Sequence, residues 1–123
     1  MTVRWSLEQL DELARAEEID VAAEHVAGAP SRYTTIWIVG VADELYVRSY
    51  RGPNGSWYRA AARTGQGRIR VRGTEHAVRV GPAKDLDRTT ADAAYRAKYG
   101  RSSYVDTMVT DSAAATTLRV VPR

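Results

Sequence analysis

The sequence contains no cysteine and only two histidines among its 123 residues. Without cysteine there is no disulfide scaffold, no thiolate zinc site and no cysteine nucleophile. Two histidines are also too few for a histidine-rich metal site. We therefore expect a protein without a metal centre.

Long hydrophobic runs are missing as well. No apolar segment approaches the roughly 20 residues that span a bilayer. The first 25 residues carry seven acids, including Glu8, Asp11 and Glu12, where a secretion signal has an apolar core. These features predict a cytoplasmic protein that does not cross a membrane. Hydrophobic residues make up 44% of a chain whose length suits one core, so residues 1–123 are expected to form a single domain.

Charge is unevenly placed, although the net charge is only +3. Residues 48–79 hold eight arginines, no lysine, and Glu75 as their single acid. The planar guanidinium group suits phosphate and carboxylate partners. This stretch is therefore a solvated face of the fold, a pocket for an anionic small molecule, or a nucleic-acid surface. The modest net charge and the lack of a nucleic-acid motif make the last of these the least favoured.

Helical spacing and capping signals predict four helices. The first begins after Ser6, which forms a capping-box pattern with Gln9, and ends near Glu18. The others are predicted over residues 57–64 and from Asp87 or Thr89 to Tyr99, and residues 103–106 are predicted to begin a short fourth helix.

Strand patterns alternate with these helices. Strands are predicted over residues 19–23, 34–41, 45–51, 68–72, 75–80 and 116–121. Gly73 and Thr74 would form a type II′ turn between two of them. The order of elements predicts an α+β fold, a small barrel of about six mainly antiparallel strands with helices covering its ends.

Several motifs resemble known proteins. Leu-Tyr-Val-Arg-Ser at residues 45–49, Ser-Trp-Tyr-Arg at 56–59 and the Gly-rich start of the strand at 64–70 resemble the core of the deazaflavin-dependent nitroreductases. Those enzymes belong to the FMN-binding split-barrel superfamily. Over roughly residues 5–123 the chain is more similar to a family of short uncharacterised bacterial proteins of that superfamily. The shared motifs are Thr-Ile-Trp at 35–37, Ala-Tyr-Arg-Ala-Lys-Tyr-Gly at 94–100 and Thr-Thr-Leu-Arg-Val-Val-Pro at 116–122.

This resemblance implies a split barrel that is homodimeric and binds FMN or a deazaflavin. The ring of the cofactor would lie against the strand that contains Arg48 and Ser49. Basic and hydroxyl groups would hold its polar parts, and aromatic rings would form walls for the ring and the substrate. The candidate cofactor-binding residues are Arg32, Trp37, Arg48, Ser49, Arg51, Trp57 and Arg59. The implied function is an oxidoreductase that acts on an aromatic or quinone-like substrate.

Two other functions stay open. A cofactor-independent enzyme, of isomerase or cyclase type, would act on a polycyclic metabolite in the same pocket. Its acid or base would be His76, Tyr46, Tyr50 or Tyr58. The nitroreductases have a longer basic loop before the second strand, whereas residues 28–33 offer only Ser31 and Arg32 for a phosphate. This shorter loop favours the cofactor-free enzyme. The third function is a non-catalytic ligand-binding module, because no carboxylate pair, catalytic triad or metal cluster can be read from the chain.

The sequence does not decide the orientation of two side chains. His76 shares an apolar face with Ile69 and Val71, so it is either a core histidine or an acid–base group in a pocket. Arg48 shares a face with Tyr46 and Tyr50, so it either binds an anionic group or points outward.

Overall fold

The structure is a computed structural model that describes residues 4–26, 29–30 and 32–123. Within these ranges the chain forms five α-helices, eight strands and a 3-10 turn at Gly52–Asn54. The helices are α1 (Leu7–Arg15), α2 (Ser56–Thr64), α3 (Arg88–Tyr99), α4 (Val105–Met108) and α5 (Asp111–Ala114). The strands are β1 (Ile19–Val26), β2 (Ala29–Pro30), β3 (Thr34–Ile36), β4 (Val39–Val41), β5 (Glu44–Val47), β6 (Gln66–Val71), β7 (Thr74–Pro82) and β8 (Leu118–Pro122).

The capping box of α1 forms as predicted. The Ser6 hydroxyl accepts a hydrogen bond from the Gln9 amide at 3.1 Å, and the Gln9 side chain accepts one from the Ser6 amide at 2.9 Å. The helix ends at Arg15, earlier than the predicted end near Glu18. Acids at a helix C-terminus oppose its dipole, and the chain turns instead into β1.

The hairpin of β6 and β7 has the predicted faces but a different turn. Arg72 and Gly73 occupy the turn with φ values of 49° and 80°. Positive φ at both positions is the type I′ geometry that matches strand twist, so the predicted type II′ turn at Gly73–Thr74 is wrong. Ile69 lies opposite His76, and Val71 shares its buried face, as the alternation predicted.

The predicted strand over residues 34–41 divides into β3 and β4. Ile36 in β3 pairs with Ile19 in β1, whereas Val39 in β4 pairs with Tyr46 in β5. The sheet runs β2-β1-β6-β7-β8-β5-β4, so β3 pairs with a strand near one end of the sheet while β4 forms the other end. The curled, mainly antiparallel sheet and its helices confirm the predicted α+β split barrel.

Side chains of α3 form hydrogen bonds with the backbone between β3 and β4, where the chain changes its pairing partner. The Ile38 amide donates to the Tyr99 hydroxyl at 3.2 Å, and Lys98 Nζ donates to the Ile38 carbonyl at 2.6 Å. Tyr99 also donates to the Glu17 carbonyl at 2.8 Å. Buried backbone groups need such partners once they leave a strand ladder. Lys98 and Tyr99 therefore fix the bend at Trp37 and Ile38.

Burial of Lys98 has a consequence for pH dependence. Burial lowers the pKa of its ammonium group to about 8, from 10.5 in an unfolded chain. Between these values the unfolded state binds more protons, so stability rises with pH. We expect the difference in free energy of unfolding between the wild type and Lys98→Met, measured by urea titration, to rise between pH 8 and 10. The same comparison with exposed Lys84→Met should be flat, and a flat Lys98 difference would contradict the assignment.

Two hydrophobic clusters lie on opposite faces of β5. Leu45 and Val47 join the main cluster inside the barrel, to which α1 and α2 add Leu13 and Trp57. Tyr46 joins the second cluster, which α3 and α4 cover. Alternate residues of β5 thus contact different clusters, and both faces of the strand are buried. Among the described residues, the helices are too short or too polar for any of them to cross a membrane.

Candidate functional site

A cavity of about 550 Å³ opens where β3 meets the end of β5 and the start of α2. Its size is in the range of small-molecule sites. The lining residues come from the bent strand, the 49–57 segment and the region around α4. They are Glu18, Thr34, Thr35, Ile36, Trp37, Arg48, Ser49, Tyr50, Arg51, Asn54, Gly55, Ser56, Trp57, Tyr104 and Met108.

The structure brings part of the predicted site together at this cavity. The predicted residues that line it are Trp37, Arg48, Ser49, Tyr50, Arg51 and Trp57. They converge because β5 ends at Val47 rather than at residue 51, as predicted. The chain then leaves the sheet, and Ser49 is held by its amide, which donates to Thr116 Oγ1 at 2.8 Å.

The Ser49 hydroxyl is buried without a partner. The residue is 1% exposed, and Oγ makes no hydrogen bond within the described part of the chain. A Cβ added at Gly55 would lie 2.3 Å from this oxygen, so glycine keeps the space beside it open. Buried hydroxyl groups are nearly always hydrogen-bonded in proteins, and this one belongs to a residue that lines a ligand-sized cavity.

Helix α2 begins beside this hydroxyl. Gly55 is its N-cap and supplies no side-chain hydrogen bond, while Ser56 and Trp57 in its first turn line the cavity. The first N–H groups of a helix have no acceptor within the helix, and they carry partial positive charge. This end of the cavity therefore offers hydrogen-bond donors to an oxygen-bearing group.

Aromatic rings form two walls of the cavity. Trp37 is stacked on Tyr99 with ring centroids 4.0 Å apart and planes at 4°. Burial raises the pKa of Tyr99 to about 12, so its phenol stays protonated and keeps donating to the backbone. Trp57 is buried against the main cluster and meets Tyr58 edge-on at 6.3 Å. Both tryptophans are thus held in place by packing.

Arg48 is buried rather than directed outward. It is 1% exposed, and Nη1 donates to Asp92 at 2.7 Å and to the Met108 carbonyl at 2.9 Å. Its Nε donates to Thr117 Oγ1 at 2.9 Å, and the guanidinium lies over the Tyr95 ring at 5.1 Å. The charge of Arg48 is therefore largely balanced by this chain's own groups.

Tyr104 is a cavity residue that sequence reasoning missed. It is 60% exposed and meets Tyr50, 49% exposed, edge-on at 5.9 Å. Tyr104 precedes α4, and no sequence pattern links it to the segment after β5 that contains Tyr50. We call these two exposed rings, Tyr50 and Tyr104, the aromatic rim.

The other predicted residues lie away from this cavity. Tyr46 is buried under α3, and its hydroxyl accepts from Arg119 at 3.3 Å. His76 is half-buried and meets the Trp5 ring edge-on at 5.5 Å. Tyr58 packs at the edge of the main cluster, and Arg32 and Arg59 are exposed.

The arginine-rich stretch separates into two environments. On the outer face of β6, Arg70 pairs with Asp20 at 3.1 Å and lies over the Tyr33 ring at 4.1 Å. Arg68 lies 3.9 Å from Glu75. These contacts make that part a solvated, paired face. Arg48 and Arg51 alone of the stretch reach the cavity.

The fold and the cavity define a split-barrel protein with a small-molecule pocket at the bend of its closing strand. Residues 9–120 match the model of a family described as uncharacterized proteins conserved in bacteria (DUF2255), and the chain belongs to that family. No curated protein matches the chain. In the described part of the chain, no group of three or more histidine or acidic side chains could hold a metal ion.

Solved structures with this fold cover nearly the whole chain. A conserved hypothetical protein from Mycobacterium tuberculosis is 13% identical, with a TM-score of 0.61 over 98% of this chain and 82% of that one. A FAD-binding protein from Mesorhizobium loti is 16% identical, with a TM-score of 0.59 over 100% and 94%. An F420 reductase is 16% identical, with a TM-score of 0.52 over 92% and 90%. These likenesses show a shared fold and confirm the resemblance to split-barrel proteins.

Proposed function

We propose that the 550 Å³ cavity binds a flavin-type cofactor, FMN or a deazaflavin, and that the protein reduces an aromatic or quinone-like substrate. The observation that carries the proposal is the Ser49 hydroxyl, buried without a partner beside the uncapped start of α2. A ring carbonyl oxygen would accept hydrogen bonds from both. Similarity in fold to a FAD-binding protein and an F420 reductase supports the same assignment.

The shape of the cavity fits a flat ring. Trp37 and Trp57 are fixed by packing and present rigid aromatic surfaces, which suit stacked or edge-on contact with a ring system. Arg51 is exposed at the cavity and forms no ion pair with any described residue. Its guanidinium group is therefore free for the phosphate of FMN.

The cofactor and the protein residues would have separate roles in the reaction. When bound, a flavin or deazaflavin supplies hydride transfer, which no protein side chain provides. Ser49 and the start of α2 would orient the ring, and the tryptophans would exclude water from its surface. The aromatic rim of Tyr50 and Tyr104 would hold a flat substrate against the open side.

The cofactor-independent alternative has less support from the geometry. Of its four acid–base candidates, only Tyr50 lines the cavity. Tyr46, Tyr58 and His76 would have to act at another surface. The non-catalytic binding module uses the same cavity and differs only in the absence of turnover.

We also propose a homodimer. Association would bury apolar surface that a chain of this size leaves exposed, such as Leu7, which is 79% exposed. Its cytoplasmic location stays a prediction from the sequence.

A titration tests the cofactor proposal. Purified protein is titrated with FMN and with the deazaflavin coenzyme, and tryptophan fluorescence and cofactor absorbance are recorded. We expect saturable quenching, because Trp37 and Trp57 line the cavity. Ser49→Ala should weaken binding about five- to tenfold, the value of one hydrogen bond of about 1 kcal/mol or slightly more.

The control for this titration is Ser103→Ala, which removes an exposed hydroxyl outside the cavity. It should bind as the wild type does. If neither cofactor binds the wild-type protein, the cofactor proposal is wrong and a cofactor-free pocket takes its place.

A further inference from the structure

A second cavity, of about 370 Å³, shares only Arg48 with the first. It lies between the end of β7, the segment that leads into α3, and α5. The proposed cofactor site uses none of its other residues. Its volume suits a ligand smaller than a flavin.

Most of the wall of this cavity is apolar. Pro82, Ala83 and Leu86 line it from the β7–α3 connection, and Ala91 and Ala114 line it from α3 and α5. The small alanine side chains leave the space open. A hydrocarbon chain or a single ring would lose contact with water on entering it.

Cations outnumber acids around this apolar space. Arg48, Lys84 and Arg88 line the cavity, with Asp111 as the only acid among its described lining residues. Asp92 lies behind them, and both guanidinium groups share it: Arg48 at 2.7 Å and Arg88 at 3.4 Å.

Lys84 supplies the unbalanced charge. It forms no ion pair within the ranges that the structure describes, whereas Arg88 is paired with Asp111. Counting Asp92 and Asp111 against the three cations leaves one positive charge over. An excess charge beside low-dielectric walls favours an anion over a neutral ligand.

Arg48 has donor capacity left over at the same place. A guanidinium group carries five N–H donors. The hydrogen bonds of Arg48 to described residues use Nε and Nη1, which leaves the donors of Nη2 without an acceptor. Arg48 lines this cavity while it is only 1% exposed, so a ligand there would meet a guanidinium group that is shielded from bulk solvent.

We propose that the second cavity is a separate binding site for a small amphipathic carboxylate. The apolar wall takes the hydrocarbon part, and the carboxylate lies among Arg48, Lys84 and Arg88. A neutral alcohol of the same length lacks the charge, and an amine is repelled. The site does not depend on whether the first cavity holds a flavin.

Sodium hexanoate is the probe, with 1-hexanol as its uncharged counterpart. Binding to the ligand-free protein is measured by amide chemical shifts in two-dimensional NMR spectra. We expect saturable shifts with hexanoate that cluster in residues 82–91 and 111–117, and much weaker ones with hexanol. Lys84→Gln should weaken hexanoate binding about fivefold, as expected for a charge near the surface. Arg101→Gln, an exposed cation outside both cavities, should leave it unchanged.

Filling the cavity tests its location. Ala114→Leu, and independently Ala115→Leu at a more exposed lining position, should weaken hexanoate binding at least tenfold while flavin binding is unaffected. A circular dichroism melt shows whether each variant is folded. Equal binding of hexanol and hexanoate overturns the charge argument, and undiminished hexanoate binding in both folded leucine variants overturns the site. Competition between hexanoate and FMN would place the acid in the first cavity and also overturn the proposal.

Discussion

Asp92→Ala is expected to lower the free energy of unfolding by about 3 kcal/mol, because it leaves a buried guanidinium without its counter-charge. Arg48 is 1% exposed, and Asp92, 25% exposed, is the carboxylate that it contacts at 2.7 Å. Removing one partner of a buried ion pair costs far more than removing an exposed pair. Urea unfolding monitored by tryptophan fluorescence measures the change.

A second substitution separates this mechanism from a simple loss of packing. Arg48→Met in the Asp92→Ala background removes the stranded charge, so it should recover at least about 1 kcal/mol. Asp106→Ala is the matched control, since it breaks an exposed pair with Arg96 at 3.3 Å and should cost under about 0.5 kcal/mol. If the changes in free energy of unfolding caused by Asp92→Ala and by Arg48→Met simply add, the Arg48 guanidinium is not an uncompensated charge in the Asp92→Ala protein.

Gly55→Ala is expected to abolish cofactor binding and to lower the free energy of unfolding by about 1–3 kcal/mol. The backbone of Gly55, with φ −62° and ψ 131°, accepts any residue. The effect therefore comes from the new Cβ, which would meet Ser49 Oγ at 2.3 Å and occupy the space beside it. Flavin titration and urea unfolding of the same preparation give the two values.

The double variant Gly55→Ala/Ser49→Ala distinguishes the two effects. Without Oγ, the added Cβ is 3.5 Å from the Cβ of residue 49, an ordinary contact, so at least half of the lost stability should return. Binding should stay impaired, because the hydroxyl is gone. Gly81→Ala, where an added Cβ meets nothing within 4 Å, is the control and should change neither value. Recovery of full affinity in the double variant would show that Ser49 does not contact the cofactor.

Local signals in the sequence predicted much of the fold. The N-cap residues Ser6 of α1 and Asp87 of α3 are adjacent in sequence to the helices that they begin, so a local pattern reveals them. The faces of β6 and β7 follow from alternation alone. By contrast, α5 was not predicted, because a helix of four residues has little periodicity to detect, although Thr110 does cap it.

The site was only partly predictable, because its geometry depends on contacts between distant residues. Ser49 and Trp57 lie close in sequence and were identified together. The burial of Arg48 depends on Asp92, 44 residues away, and on Thr117, 69 residues away. Residues 34–41 were predicted as one continuous strand. An apolar run does not show that the pairing partner changes near Trp37, from β1 to β5.

That exchange of partners bears on how the chain folds. The β6–β7 hairpin forms from neighbouring residues, and its closure costs little loop entropy. The β4 half of residues 34–41 also pairs locally, with β5 across the turn at residues 42 and 43, whereas the β3 half pairs with β1, which lies far from β5 in the sheet. The pairs that join these parts, β1 with β6 and β5 with β8, connect residues far apart in sequence, and such non-local contacts slow folding. The cavity is lined by residues of these separate parts of the chain, so its shape depends on the assembly of the whole sheet.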